Sequence, residues 1–390
     1  MTSVQQFATD LVTGTALHQP TWDDPQALAL VKARLQAAEP LVSPIDVARL
    51  REQLASAAAG EVTVIQAGDC AEDWSETTPG HIARKKELLD AIADTMERET
   101  GRPVLRVGRI AGQYAKPRST DVETVAGVEL PVFRGHMVNS PKPDAKLRTP
   151  DPWRMLTGYR AAYDTTRLLG WGTDTSRTSG TWTSHEMLLL DYELAMVRQQ
   201  TDGGHLLTST HWPWIGDRTR QVAGAHVDLL SALTNPVACK VGPTMTTGEL
   251  LALCERLDPR RKPGRLTLIS RMGAEAVLDR LPVLVSAVRA AGHPVVWLCD
   301  PMHGNTVRRT DGSKTRLVET VVREVQRFQN AVDSGNGVPG GLHLETTPED
   351  VTECVDAEHH LDQPWTSYTS FCDPRLNPRQ ALTVAAAWRG

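Results

Sequence analysis

Metal-type donors stand just past short apolar runs at widely separated places in the chain: Cys70 after Val62-Thr63-Val64-Ile65, His303 after Trp297-Leu298-Cys299, Glu345 after Leu342-His343-Leu344, and Asp373 after Ser370-Phe371-Cys372. A thiolate, an imidazole and two carboxylates together suit Zn2+, Mn2+, Co2+ or Fe2+ better than Mg2+, which prefers oxygen ligands. Taken singly, each residue has a plainer reading as a buried thiol, a hydrogen-bonded core imidazole or a salt-bridged acid. Cations follow the same runs. Arg106 and Arg109 stand on either side of Gly108, Lys116 and Arg118 share one segment with Ser119, Arg218 and Arg220 follow Asp217, and Lys240 and Arg271 end or follow further runs. Arg offers paired donors to phosphate or carboxylate and Lys a compact point charge, so the set predicts a small multiply charged anion as ligand. Ordinary salt bridging on a solvated rim is the competing reading.

Such residues converge only if the runs before them are strands of one sheet. Candidate strands fall near 63–67, 104–108, 205–209, 237–241, 266–270, 295–299, 341–345 and 367–372, with helical periodicity between several of them, as in 276–291 and 316–328. Eight strands alternating with helices predict a (β/α)8 TIM barrel, an α/β fold that gathers catalytic residues at the C-terminal ends of its strands. A doubly wound sheet fits less well, because no GxGxxG follows the first strand. Residues 1–60 read as an N-terminal helical extension, with helices over 24–37 and from Ser43-Pro44 towards Ala58, and 61–390 as the catalytic barrel. The long connection after the second strand, about 115–200, reads as a folded helical insertion.

With 390 residues, 42 Lys and Arg against 47 Asp and Glu, and 40% apolar residues, the chain can fill a large core and has net charge −5. A disordered tail or a general nucleic-acid binder is therefore excluded. No run approaches a membrane span and Met1–Asp10 lacks a signal-peptide pattern, so a soluble cytoplasmic protein is expected, with neither nucleic acid nor membrane as partner. The six cysteines include no CxxC pair and are expected to act as thiols.

The ordered motifs resemble those of type II 3-deoxy-D-arabino-heptulosonate 7-phosphate (DAHP) synthases: QAGDCAE at 66–72, RVGRIAGQYAKPRS at 106–119, TSHE at 183–186, WIGDRTR at 214–220, KVGP at 240–243, RMGAE at 271–275, CDPMHGNT at 299–306, HLETTPEDVTEC at 343–354 and CDPRLNPRQAL at 372–382. The resemblance implies a metal-dependent condensation of phosphoenolpyruvate with erythrose 4-phosphate and water at the head of the shikimate pathway, in a compact form like those serving phenazine-type secondary metabolism. It implies Cys70, His303, Glu345 and Asp373 as metal ligands, with Mn2+ or Co2+ ahead of Zn2+ or Fe2+. Arg109, Lys116, Arg218, Lys240 and Arg271 would surround phosphoenolpyruvate, and Arg118 and Ser119 the sugar phosphate. Lys116 is favoured over His303 for proton transfer, since a liganded imidazole is not a free base. A homodimer is expected.

Three departures from the family pattern stand out. Ala67 replaces a glycine before Gly68; Asp217 replaces a glutamate, placing its carboxylate one methylene short of the phosphoenolpyruvate pocket; and His136 replaces an acid, raising a question over acceptor preference or local folding. A related condensation with an amino or other aldose phosphate is one alternative, and a catalytically inactive scaffold of the same descent is another.

Overall fold

The computed structural model describes residues 14–125, 127–172, 180–363 and 366–390. Residues 1–13 of the N-terminal extension lie outside them.

Short β-branched runs flanked by glycine and polar residues form the strands β1 (Thr63–Gly68), β2 (Val104–Arg109), β3 (Trp182–Glu186), β4 (Trp212–Ile215), β5 (Val237–Val241), β6 (Leu266–Ser270), β7 (Val296–Cys299) and β8 (Pro339–Glu345). Every neighbouring pair is parallel, and β1 pairs with both β2 and β8, so the sheet closes. Amphipathic helices fill the crossovers. The helix α9 (Val318–Ser334) is typical, burying Val318, Val321, Val325, Phe328 and Val332 on one stripe. The architecture is a (β/α)8 TIM barrel.

Two strand positions differ from the sequence expectation. Residues 205–209 are not a barrel strand: His205–Leu207 pairs antiparallel with Val197–Gln199 in a hairpin outside the barrel. Residues 367–372 form no strand and run as an irregular segment into Asp373. Their places are taken by β3 and β4. The sequence Trp-Thr-Ser-His-Glu of β3 is polar yet buried, because Ser184 donates to the Gly108 carbonyl and His185 bonds to Glu193. β4 carries Pro213, which reads against a central strand. The stretch 115–200 read as an insertion thus contains β3; between β2 and β3 lie a hairpin, Val122–Val125 with Val128–Pro131, and the helix α4 (Arg154–Leu168).

The N-terminal helices form as their caps dictate. Asp24 and Ser43 accept backbone N–H groups at the starts of α1 (Pro25–Ala37) and α2 (Pro44–Ala58), each followed by a proline whose missing N–H costs nothing there. α2 buries Leu50, Leu54 and Ala57 in the same apolar cluster as Val64, Leu105, Trp212, Ala238 and Val296 of the barrel strands. It closes the N-terminal end of the barrel.

Two glycines set close approaches. Gly341 in β8 has φ +145°, and a Cβ there would lie 1.9 Å from the Val64 carbonyl oxygen of β1; Gly68 has φ +151° with the Arg109 carbonyl as close as 2.6 Å. Ala67, the departure next to Gly68, has negative φ and packs in the outer core, so its methyl is accommodated.

Candidate active site and metal centre

The strand ends deliver the charged groups. Arg109, Glu186 and Glu345 are the last residues of β2, β3 and β8, Lys240 lies near the end of β5, and Asp217 and Arg271 follow β4 and β6. A cavity of about 600 Å3 opens at this end, lined by Arg109, Lys116, Arg118, Ser119, Arg218, Lys240, Arg271, His303 and Asp373, among others. The geometry therefore brings the sequence-derived cations together, with two exceptions. Arg106 bonds Asp94 and Asp90 and lines a separate recess at the opposite end of the barrel, and Arg220 is held by Asp217 without lining the mouth.

Beneath the cations, donor atoms of Cys70, Glu345 and Asp373 lie within 4.8 Å of one another, and His303 Nε2 is 3.2 Å from Glu345 Oε1. His303 Nδ1 is 2.8 Å from Asp300 Oδ2, which leaves Nε2 facing the carboxylate group of Glu345. Cys70 and Glu345 are fully buried. Donors of this mixed hardness fit a borderline divalent ion. Sequence reasoning missed Arg316, which is buried, lies 2.8 Å from Glu345 Oε2 and fixes that carboxylate from behind. It also missed Glu186, whose Oε1 is buried without a partner among the described residues and which lines the cavity. Arg316 carries no local signal; Glu186 closes the quoted TSHE motif.

The electrostatics follow from burial and neighbours. Burial works to raise the Glu345 carboxyl, but His303, Arg316 and Arg109 outweigh it and hold the group well below the usual range. Asp373 sits at about 2, where Arg316, Lys314 and His303 overcome burial and the nearby Glu345 charge. The Cys70 thiol is pushed well up, first by its hydrogen bond with Cys372, then by burial and Glu345. Burial would depress Lys116, but Cys70 and Glu345 reverse this and raise it, so its ammonium persists; Nζ donates to the Cys70 carbonyl at 2.8 Å. Lys240 goes the other way. Burial pulls it down to about 8 against its ion pair with Asp300, and Arg109 adds to the depression.

Asp217 bridges Arg220 at 2.8 Å and Arg271 at 3.0 Å, so the shorter acid still orients a cavity arginine. His136 does not line the mouth. It is buried among Trp74, Phe133 and Phe371, with ring centroids 4.9 to 5.4 Å away.

Charged groups gathered where eight parallel strands end mark a TIM-barrel enzyme. The chain belongs to the Class-II DAHP synthetase family, whose model matches residues 8–175 and 166–388. It is 55% identical over 378 residues to a probable phospho-2-dehydro-3-deoxyheptonate aldolase of Pseudomonas fluorescens, covering 96% of this chain and 94% of the relative. It is 39% identical to the phospho-2-dehydro-3-deoxyheptonate aldolase of Streptomyces coelicolor, covering 95% and 94%. A solved phospho-2-dehydro-3-deoxyheptonate aldolase from Francisella tularensis superposes with a TM-score of 0.56 at 13% identity, covering 95% of this chain and all of that one. That likeness bears on the fold alone.

Proposed function

We propose that the protein joins phosphoenolpyruvate to erythrose 4-phosphate, with water, to give DAHP and phosphate. The observation that carries this reading is the stacking of a cation-lined cavity directly over the cluster of Cys70, Glu345, Asp373 and His303. Arg109, Lys116, Arg218, Lys240 and Arg271 hold the phosphate and carboxylate of phosphoenolpyruvate, and Arg118 and Ser119 take the phosphate of the aldose. Asp217 acts on the substrate through the arginine it orients.

In the reaction, C3 of the enolpyruvate bonds to the aldehyde carbon, whose oxygen gains a proton. Water adds its oxygen to C2 and gives up both of its protons, one balancing the proton taken by the aldehyde oxygen and one leaving with the phosphate as the C2–O bond breaks, and a ketone remains at C2. Cys70, His303, Glu345 and Asp373 would hold a divalent ion, Mn2+ or Co2+ in the first place. A divalent ion in such a site supplies Lewis-acid polarisation of a carbonyl oxygen. Lys116, kept as an ammonium, gives a proton or a hydrogen bond rather than removing one. The cations of the mouth bring the two anionic reactants within bonding distance and replace part of their hydration.

No described helix is long and apolar enough to cross a membrane. A cytoplasmic homodimer is the assembly we propose; exposed Leu30, and Trp153 with Arg34 stacked over it at 5.1 Å, are candidates for burial against a second copy.

The test is phosphoenolpyruvate consumption by chelated protein with erythrose 4-phosphate, on adding Mn2+, Co2+ or Zn2+ in turn, with product mass read alongside. Metal-restored formation of the seven-carbon keto-acid phosphate is expected. No consumption with any ion, or a product of another mass, would overturn the reading.

A further inference from the structure

Arg109 is fully buried, and its guanidinium has five N–H donors to place. Nε and Nη2 donate to the Asp69 carbonyl at 3.2 and 3.1 Å, Nη2 also donates to Glu345 Oε1 at 3.0 Å, and Nη1 bonds to His343 Nε2. That leaves one Nη1 proton uncommitted among the described residues, on a side chain that lines the mouth cavity.

Behind His343 runs a chain of buried polar groups across the barrel interior. His343 Nδ1 is 2.7 Å from Gln66 Oε1, Gln66 Nε2 donates to Ser184 Oγ at 3.0 Å, and Ser184 Oγ donates to the Gly108 carbonyl at 2.9 Å. Gln66, Ser184 and His343 are all 0% exposed, on β1, β3 and β8. The direction of this chain is fixed at both ends, because a guanidinium can only donate and a carbonyl can only accept. Arg109 therefore donates to Nε2, which must be unprotonated. His343 then carries its proton on Nδ1 and donates to Gln66, and Gln66 and Ser184 each have one orientation left. Trp214 packs its ring edge-on to His343, with centroids 5.2 Å apart at 90°, and its face lies 5.2 Å from Arg109 Cζ.

A buried amide, hydroxyl and imidazole in line are costly unless every bond is made, and here each supports the next. On the functional reading above, we infer that His343, backed by Gln66 and Ser184, is a positioning residue. It holds Nη1 of Arg109 from behind, as a neutral acceptor, so that the remaining Nη1 proton meets the anionic group of phosphoenolpyruvate. A cation or an apolar side chain at this position would leave Nη1 without its acceptor, and the buried guanidinium held on its Asp69 and Glu345 side alone.

The experiment compares wild type, His343→Leu, His343→Gln and Ser184→Ala. It reads phosphoenolpyruvate Kd by calorimetry, KM for each substrate, kcat and Tm. Glutamine can accept from Arg109 and donate to Gln66 as imidazole does, whereas leucine can do neither. His343→Leu is expected to weaken phosphoenolpyruvate binding roughly tenfold or more. His343→Gln should recover most of that loss, and KM for erythrose 4-phosphate should stay unchanged throughout. Should the leucine variant fail to fold, Ser184→Ala, three hydrogen bonds from the guanidinium, is expected to raise the phosphoenolpyruvate KM severalfold with kcat largely retained. Equal phosphoenolpyruvate affinity in folded variants and wild type would overturn the inference alone, as would a glutamine variant no better than leucine. A folded wild type that binds no phosphoenolpyruvate would overturn the functional reading and this inference with it.

Discussion

Arg375 Nη1 lies 2.7 Å from Asp69 Oδ1, joining the neighbour of Cys70 to the segment that carries Asp373. The other face of the guanidinium is held by Glu353, which also accepts the backbone N–H groups of Thr369, Ser370 and Arg375. Asp69 is closed on its second oxygen by Lys85 at 2.7 Å. The separation of Cys70 and Asp373 is thus set by a buried ionic lattice.

Removing one ion from such a lattice strands the others. Arg375→Ala leaves Asp69 and Glu353 buried without their shared partner, and is expected to cost about 3–5 kcal/mol of folding stability. Urea denaturation measures that cost. Titration of the refolded variant with Mn2+ or Co2+ should also show weakened binding, and wild-type affinity would show that the pair does not set the donor spacing.

The turn after β6 and the His303 segment touch backbone to backbone. A Cβ on Gly304 would lie 2.4 Å from the Gly273 nitrogen, with no flexible side chain to give way. Gly304→Ala should therefore move Arg271 and His303 apart. The expected result is at least a tenfold fall in kcat/KM, the scale of about 1.4 kcal/mol of lost transition-state stabilisation, while Tm moves by only a few degrees. Full activity would show that the contact is slack.

Lys240 gives the mouth a pH dependence. With its amine depressed to about 8, first by burial, the cation is present below that pH and lost above it. Binding of a phosphate or carboxylate should weaken as pH rises through the same range. The profile of kcat/KM for phosphoenolpyruvate, which reports the free enzyme, is expected to fall past about pH 8. Lys240→Gln should be weaker at neutral pH and flat across that limb; an unchanged limb in the variant would assign it to another group.

His136 sits in an aromatic enclosure with neither ring nitrogen hydrogen-bonded among the described residues, its Nε2 3.8 Å from Asp73, and burial pushes its pKa down to about 4. The neutral ring acts by packing. His136→Phe is expected to retain folding and acceptor preference. His136→Asp, which restores the family's acid beside Asp73, should destabilise by about 1–3 kcal/mol through a desolvated carboxylate. A changed acceptor profile in the phenylalanine variant, read by product mass, would give the ring a part in specificity.

What could be read in the sequence was whatever local pattern encodes. Cys70, Lys240, Arg271 and Glu345 stand at the ends of apolar β-branched runs, and these runs form barrel strands as expected. β3 escaped because its burial is satisfied by partners outside the strand, and β4 because Pro213 reads against a central strand. Thr183, Ser184 and His185 look like surface residues until Gly108, His211 and Glu193 are placed around them. Leu206 and Leu207 mislead in the opposite sense, being apolar because their hairpin packs in the outer core. Arg106 alternates to the outside of β2 while Arg109 faces inward, a distinction that the register supplies. Arg316 and Arg375 stand far in sequence from the carboxylates they hold, and no spacing rule announces them.

Helix α2 seals one end of the barrel, and the cations of the mouth lie at different depths: Arg109 and Lys240 are buried, whereas Arg118 is partly exposed nearer the rim. A vessel with a single door imposes a queue. A molecule that settles on Arg109 and Lys240 is expected to enter before the one that occupies Arg118, and to leave after it. For the proposed reaction this makes the enolpyruvate the first substrate in, and the burial of its pocket a guard against losing it before the acceptor arrives.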